Sequence, residues 1–517
     1  MSYEIGNPYN SVPEVLQAYR NLYPNSTHKK EINDLIISAY ITSKDYEGAL
    51  EFLKNKKSSK EKGLFQKVAF YYGVELFNES KFRPALESFE NSLSEPIDKK
   101  TYALATFWKG ETNYRLNNFV LAQADYNNFE ANDEAINTEE FIHLNYNKAY
   151  ALFKQKEYAQ AADEFKKYVG KSNAEQVRKK DSYLRIGDAY FVNSNYSNAI
   201  NYYDKAIAIK GNTENDYAQF QKAISYGLLG NETKKISELN SFLATHLRGA
   251  YRDDALYVLG NSHMKRNETE KAHENFDKLI ANYNRSPLFS KTLLKKGLLY
   301  YNADQNQQAI NTYKSIVKRF PNTPEALQAV QNTRQIYVDI GEVDEYANWV
   351  KTLDFVNVSN AELDNDMYES AEKQYLQNNH RKSITSFTKY LQKFPNGIHA
   401  LNANFYLAQS KYSEKNLNTA IPNYTYVVNK EQKEFTEVAL SILSQINLEH
   451  NDLKIAIPLL KLLEKEANNS QNILFAQSNL MKGYYAEKNY TAAENYAELV
   501  LNQPKVDARV KSDAHII

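Results

Sequence analysis

One pattern returns about every 37 residues along this chain: a small residue, an aromatic residue and a second small residue. Its second small position falls at Ala49, Ala85, Ala122, Ala161, Ala199, Lys235, Ala272, Ala309, Tyr346, Ser383, Ala420, Ala456 and Ala493. A period of this length, kept in register over most of the sequence, is typical of stacked two-helix units rather than of one compact domain. We therefore predict an all-α solenoid of about thirteen helix-turn-helix repeats.

Each second small position has two partners at fixed distances. Twelve residues earlier lies another position that is usually small: Ile37, Gly73, Gly110, Ala149, Gly187, Ala223, Gly260, Gly297, Arg334, Ala371, Ala408, Ser444 and Met481. Four residues later lies a large one, such as Phe89, Tyr203 or Tyr313, except in the last repeat, where Ala497 breaks the series. Small residues let paired antiparallel helices approach closely, and a large residue on the same helix face fills the remaining gap.

This arrangement resembles the tetratricopeptide repeat, and the resemblance covers nearly the whole chain. It implies a right-handed superhelical solenoid that binds other proteins. The usual repeat has about 34 residues, so we place the extra length in the turns between repeats. The ninth repeat has Arg334 and Tyr346 where small residues belong, which predicts an atypical repeat, and a bend, near 325–355.

Both ends of the sequence look like incomplete repeats. Val12 to Leu22 fits the second helix of a repeat without its first, so we assign 1–29 to a partial repeat. A continuous solenoid follows over 30–505, and 506–517 fits the first helix of another incomplete repeat. We expect a segment of a longer solenoid.

Composition argues against several classes of protein. The 63 basic and 63 acidic residues cancel, whereas a nucleic-acid surface needs concentrated positive charge. No apolar stretch is long enough to span a membrane, and Met1 to Asn10 shows no signal-peptide pattern. The absence of cysteine excludes disulfides, zinc-thiolate sites and cysteine nucleophiles.

Catalytic and metal-binding motifs were weighed, and each lacks its context. The stretch 223–227 approximates a nucleophile elbow but lies in a repeat helix, and 170–172 resembles the end of a phosphate loop without its upstream glycine. The stretch 364–366 begins like a calcium loop but reads better as a helix start with an aspartate cap. His263 and His273 are too far apart for a helical metal pair. We predict no enzyme, no metal and no cofactor.

Five lysines cluster between the first two complete repeats, at Lys54, Lys56, Lys57, Lys60 and Lys62. A solvated loop accounts for them. The alternative is a contact for an acidic partner or for anionic lipid headgroups.

Aromatic residues recur on the first helix of the repeats, three residues before and four residues after the first small position. Seven positions apart, the two sets share one helix face, which the resemblance places along the concave groove. The predicted partner-binding residues are Phe70, Phe77, Phe107, Tyr114, Tyr146, Phe153, Phe191, Tyr257, Tyr301, Tyr368, Tyr375, Phe405, Tyr412 and Tyr485. A mixed series between the sets, including Glu111, Tyr150 and Asp188, varies as a recognition surface would. The alternative is that these rings only pack against the neighbouring repeat.

Three junctions, at 23–25, 320–322 and 394–396, combine an aromatic residue, proline and asparagine. They resemble those of bacterial outer-membrane and periplasmic repeat proteins of the BamD and Tol-associated coordinator types. The resemblance implies a scaffold for protein or peptide partners in a cell-envelope assembly, periplasmic and associated with the outer membrane, with any lipid anchor outside this segment. The alternatives are a cytoplasmic adaptor, the regulatory half of a larger enzyme, and an RNA-binding helical repeat.

Overall fold

The computed structural model describes residues 11–209, 215–431 and 433–517. All regular structure in these ranges is helical, which confirms the predicted all-α class. Two short 3-10 helices, Ala135–Asn137 and Glu139–Ile142, lie between α7 and α8. The α-helices are α1 (Val12–Leu22), α2 (Lys29–Thr42), α3 (Tyr46–Phe52), α4 (Ser59–Asn78), α5 (Phe82–Leu93), α6 (Lys99–Arg115), α7 (Phe119–Glu130), α8 (Leu144–Lys154), α9 (Tyr158–Val169), α10 (Gln176–Val192), α11 (Tyr196–Ala208), α12 (Asn215–Leu228), α13 (Glu232–Thr245), α14 (Arg252–Lys265), α15 (Thr269–Asn282), α16 (Phe289–Asn302), α17 (Asn306–Arg319), α18 (Pro324–Ile340), α19 (Val343–Val350), α20 (Asn360–Leu376), α21 (His380–Lys393), α22 (Ala400–Ser413), α23 (Leu417–Val428), α24 (Thr436–Glu449), α25 (Leu453–Glu466), α26 (Ser470–Ala486), α27 (Tyr490–Leu501) and α28 (Ala508–Ile516).

The chain divides into two units, Met1–Ser262 and His263–Ile517. Within each unit, helices pack mainly on the helices next to them in sequence, as expected for stacked hairpins. The cores are correspondingly local. One cluster in the first unit joins Phe70, Phe89 and Ala105, and one in the second joins Ala408, Tyr424 and Ala439.

A short turn with one left-handed residue joins the two helices of each repeat. At Asn117 φ is +64°, and the amide of Asn118 donates to the carbonyl of Asn113 at 2.8 Å. This bond closes a Schellman motif, which satisfies carbonyls at the end of the first helix. A left-handed residue recurs at thirteen such turns: Lys44, Ser80, Asn117, Lys156, Ser194, Gly230, Asn267, Asp304, Gly341, Asn378, Lys415, Asn451 and Lys488. Each lies five residues before a second small position, so the backbone repeats with the period of the sequence.

In about half of the repeats the residue after the left-handed one also starts the second helix. Its side chain accepts a hydrogen bond from a backbone amide three residues later, as an N-cap does. The caps of this kind are Asp45, Asn195, Asn231, Asn379, Asp452 and Asn489.

The first small position lies under the ring of the large residue sixteen positions later. A Cβ atom on Gly73 would be 2.6 Å from a ring carbon of Phe89, and one on Gly187 would be 2.6 Å from a ring carbon of Tyr203. Both rings are fully buried. The predicted close approach of the two helices is confirmed, and the large residue of the same hairpin is what requires it.

The connections between repeats are mostly longer than the turns within them, as at 94–98 and 246–251. The extra length over the usual repeat therefore lies in the connections between repeats, as predicted. At one predicted junction, α17 ends at Arg319, Phe320 and Pro321 follow, and Asn322 is left-handed with φ +63°. Thr323 then caps α18, in which Pro324 is the first residue.

In the ninth repeat, the two large residues at the small positions have their own surroundings in the structure. Its second helix, α19, has only 8 residues. Nε of Arg334 donates to Oδ1 and Oδ2 of Asp366 in α20, at 2.9 and 2.8 Å. Tyr346 is buried. Arg334 thus extends to the next repeat instead of lying between its own two helices.

The first and last helices of the described residues pack against their sequence neighbours. Helix α1 covers the predicted stretch Val12–Leu22 and contacts α2, and α28 contacts α27. The assignment of 1–29 and 506–517 to incomplete repeats stays a prediction.

Candidate functional site

Four of the predicted groove residues belong to the core. Phe70, Phe107, Tyr368 and Phe405 are each less than a tenth exposed. Phe107 packs on Tyr126 and Phe129, and Phe405 stacks on Phe435 with ring centroids 4.3 Å apart. Buried rings offer a partner little surface, so for these four the observed role is packing.

Five others brace the turn inside their own repeat. Each of these rings meets, edge to face, the ring five residues later at the start of the second helix, and such pairs contribute about 0.5–1.5 kcal/mol each. The centroid distances lie between 5.1 and 5.6 Å, in the pairs Phe77–Phe82, Tyr114–Phe119, Phe153–Tyr158, Phe191–Tyr196 and Tyr485–Tyr490.

In the second unit, the predicted tyrosines also contact residues of the same unit. The hydroxyl of Tyr301 donates to Asp339, and burial is the main cause that raises the pKa of Tyr301 to about 12. Tyr375 lies 4.7 Å from Tyr406, measured between ring centroids, and Tyr412 packs on the core around Tyr424. Tyr257, in the first unit, is half-buried in α14.

Three of the predicted residues meet at a pocket of about 490 Å³ in the first unit. Phe107 and Tyr114 come from α6 and Tyr146 from α8. We call it the α6–α8–α10 pocket. Its other lining residues are Trp108, Glu111, Arg115, Tyr126, Glu139, Glu140, His143, Asn147, Tyr150 and Arg178.

A carboxylate lines this pocket. The Tyr126 hydroxyl and the Asn147 amide both donate to Oε1 of Glu111, whereas Oε2 has no hydrogen-bond partner in the described part of the chain. Burial raises the pKa of Glu111, and the two hydrogen bonds act in the opposite direction. Glu111 therefore has one carboxylate oxygen that no described residue engages.

The remaining charges lie around this carboxylate. Glu140 accepts a hydrogen bond from the Trp108 indole at 3.2 Å, and Nε of Arg178 lies 3.5 Å from a carboxylate oxygen of Glu175. The guanidinium of Arg178 also lies 5.5 Å from the ring centre of Tyr146. Burial lowers the pKa of His143, and Arg178 lowers it further.

A partly buried network of tyrosines and carboxylates continues from the pocket through α8, α10 and α12. The hydroxyls of Tyr146 and Tyr150 both donate to Asp181. Further along, the hydroxyl of Tyr217 donates to Asp188 at 2.7 Å. Two members of the mixed series, Tyr150 and Asp188, thus link successive repeats, and Glu111 does the same through Asn147.

The lysine cluster is largely ion-paired. Lys56 and Lys62 lie 3.4 and 3.3 Å from carboxylate oxygens of Glu95, and Lys60 lies 2.7 Å from Asp34. Lys54 pairs with Glu51 at 3.2 Å. These contacts favour the solvated loop over a free basic patch.

Residues of the candidate catalytic and metal-binding motifs form hydrogen bonds within the fold. Ser225 in α12 donates to the carbonyl of Gln221, and Nζ of Lys171 donates to two carbonyls at 141–142. Asp364 lies inside α20 and accepts a hydrogen bond from the hydroxyl of Tyr390 in α21. Ser359 caps α20, so the predicted aspartate cap is wrong because the helix begins earlier than expected. Over the described ranges no cluster of three metal-ligating side chains is present, and no helix is long and apolar enough to cross a bilayer.

The mixed series supplied Glu111 and Tyr150 of the α6–α8–α10 pocket, but the sequence did not reveal its other charged residues. Glu139, Glu140 and His143 belong to or adjoin the short 3-10 helix before α8, which lengthens this connection. A signal exists in the spacing, because Ala122 and Ala161 are 39 residues apart, the longest interval in the series.

Comparison with protein families identifies the repeat. A tetratricopeptide repeat-like domain matches residues 349–478, and two tetratricopeptide repeat families match 254–286 with 291–323, and 146–213. Curated proteins yield no significant match.

Solved structures with a similar fold are remote in sequence. A tetratricopeptide repeat protein from Parabacteroides merdae is 13% identical, aligns over 52% of this chain and 99% of its own, and has a TM-score of 0.34. The complex of Naa15/Naa10 with HypK-THB gives 13% identity, 92% and 69% coverage and a TM-score of 0.37. PilW, a type IV pilus biogenesis factor, is 17% identical, aligns over 44% of this chain and 98% of its own, and has a TM-score of 0.33.

Proposed function

We propose, on the premise that this chain contains tetratricopeptide repeats, that it is a scaffold that binds segments of partner proteins on the face formed by α6, α8 and α10. This repeat is generally a module for protein interaction without catalysis. The observation that carries the proposal is the α6–α8–α10 pocket, where three successive repeats contribute side chains to one open site.

The chemistry of the lining suits the binding of a partner segment. Its tyrosine and tryptophan rings offer contact area, and their polar atoms can anchor a backbone or side chain.

We also propose that the scaffold works in a bacterial cell envelope, in the periplasm and in association with the outer membrane. The support is the aromatic-proline-asparagine junctions, of which 320–322 and 394–396 end α17 and α21. Fractionation of the native host with an antibody against this chain tests the proposal, and recovery of the protein with the cytoplasmic fraction would contradict it.

Site-specific photo-crosslinking tests the binding face. A benzoylphenylalanine at Tyr114 samples the pocket, and the same residue at the exposed Ala124 of α7 is the matched control. We expect crosslinks from Tyr114 to a defined partner peptide, identified by mass spectrometry. A synthetic copy of that peptide should bind the purified chain, and Tyr146→Ala should weaken this binding while helicity is unchanged.

Equal crosslinking from both positions would refute binding on this face. So would a synthetic peptide that binds the Tyr146→Ala variant as well as it binds the unaltered chain.

A further inference from the structure

We propose that the α6–α8–α10 pocket receives a basic side chain, an arginine or a lysine of the partner segment. The inference rests on the proposed function and specifies the chemistry of the occupant. Three features of the pocket support it: the balance of charges, the aromatic walls and the Oε2 atom of Glu111, to which no described residue donates.

The charges of the pocket favour a cation. Glu111, Glu139 and Glu140 supply three carboxylates. Two cations, Arg115 and Arg178, belong to the same lining, and Arg178 also forms an ion pair with Glu175 at 3.5 Å. Three acids therefore stand against two cations, of which one shares its charge with a further carboxylate.

His143 adds no positive charge at neutral pH. Burial and the neighbouring Arg178 lower its pKa, and an ordinary histidine is already mostly neutral at pH 7. An acidic guest would therefore meet net repulsion, whereas a basic guest would meet net attraction.

The walls suit the same guest. Trp108, Tyr114 and Tyr146 contribute aromatic rings to the lining, and ring faces attract guanidinium and ammonium groups. The lining already contains one such contact, because the guanidinium of Arg178 lies 5.5 Å from the ring centre of Tyr146.

The Glu111 carboxylate distinguishes a basic guest from an aliphatic one. Oε2 of Glu111 lacks a hydrogen-bond donor in the described part of the chain. An aliphatic side chain would exclude water from this oxygen without replacing its hydrogen bond, which is unfavourable. A guanidinium or ammonium group would supply the donor and a compensating charge.

The chain offers a built-in reporter for the test. It has two tryptophans, and Trp349→Phe leaves Trp108 at the pocket as the only one. The probes are four capped nonapeptides of serine and alanine that differ only in a central arginine, lysine, norleucine or glutamate. Titration is followed by the fluorescence of Trp108.

We expect saturable binding of the arginine and lysine peptides, and affinities at least about tenfold weaker for the norleucine and glutamate peptides. Glu111→Gln should weaken the arginine peptide about tenfold or more. Asp163→Asn, which removes a charge from an exposed position of α9, should leave it unchanged. Circular dichroism checks that both variants keep their helicity.

The proposal is overturned if the norleucine or glutamate peptide binds as tightly as the basic ones, or if none binds at about 1 mM. It is also overturned if Glu111→Gln and Asp163→Asn behave alike. Failure of the scaffold proposal is separate, because crosslinking from Tyr114 measures partner binding whatever the charge of the guest.

Discussion

At the scale of the residue, the close packing of each repeat depends on a small residue of the first helix that lies under a large residue of the second. The small positions and their large partners were predicted from spacing, because steric exclusion between two paired helices leaves a clear trace in the sequence. The groove aromatics were harder to place. Phe107 and Tyr114 lie on one helix face and both line the pocket, yet Phe107 is buried against Phe129 whereas Tyr114 is half-buried. The periodicity of one helix does not encode how much of each ring the neighbouring helices cover.

Gly73→Ala should destabilise the chain. The added methyl would lie 2.6 Å from a ring carbon of the buried Phe89, and such overpacking costs about 1–3 kcal/mol. The better helix propensity of alanine offsets up to about 1 kcal/mol. Urea unfolding followed by circular dichroism measures the net loss.

Gly483→Ala is the matched control, because its Cβ would lie 3.4 Å from Ile457, an ordinary contact. We expect it to be neutral or to stabilise by up to about 1 kcal/mol. Equal losses for the two variants would contradict the steric explanation.

The stability of the chain should depend on pH through Glu111. Burial raises the pKa of Glu111 in the folded chain above the value of about 4.3 expected in the unfolded chain. The folded chain then binds this proton more tightly, so the stabilisation is present below the unfolded pKa and is lost as pH rises through the folded pKa. Glu111→Gln should remove this dependence.

The measurement is the difference in unfolding free energy between Glu111→Gln and the unaltered chain, at about pH 4 and about pH 8. We expect the variant to gain relative stability at the higher pH. The acids and bases that face Glu111, including Arg115, Arg178, Glu139 and Glu140, are present in both proteins, so the difference isolates Glu111. A relative loss at the higher pH would show that the assigned direction is wrong.

At the scale of the element, one turn is used thirteen times with different residues. Lysine, serine and asparagine occupy the left-handed position far more often than glycine. The period predicted where these turns fall, but their left-handed backbone was not foreseen, since only two of the thirteen positions, Gly230 and Gly341, hold a glycine. The cost of that conformation is met by the Schellman hydrogen bonds and, in five repeats, by the edge-to-face rings that span the turn.

Lys156→Gly should therefore stabilise the chain. Lys156 has φ +66°, a conformation that costs a non-glycine residue about 1–2 kcal/mol, and the greater freedom of glycine in the unfolded chain takes back about 0.5–1 kcal/mol. A net gain of roughly 0.5–1 kcal/mol is expected in urea unfolding.

Lys154→Gly, two residues earlier at the exposed end of α8, serves as its control and should lose about 0.5–1 kcal/mol. A loss at Lys156 as large as that at Lys154 would argue against strain in the turn.

At the scale of the whole molecule, stability is the sum of many local packings. The sequence predicted this organisation because every repeat carries its own small and large positions. It did not predict the α6–α8–α10 pocket, whose lining comes from three repeats and an irregular connection.

A core defect should consequently be felt mainly where it is made. Phe89→Ala removes a fully buried ring and should cost about 3–5 kcal/mol. In single-tryptophan variants, we expect the unfolding transition of Trp108 in the first unit to shift to lower urea by more than that of Trp349 in the second. Equal shifts of the two transitions would indicate a single cooperative unit.

The uniform turn also bears on how such a chain changes over generations. Recombination between the coding segments of any two turns would delete or duplicate whole repeats and would join backbones of the same conformation. The product would need no new loop, and only the side chains at the new junction would have to adapt. Arrays of this kind can thus gain or lose binding surface in steps of one repeat.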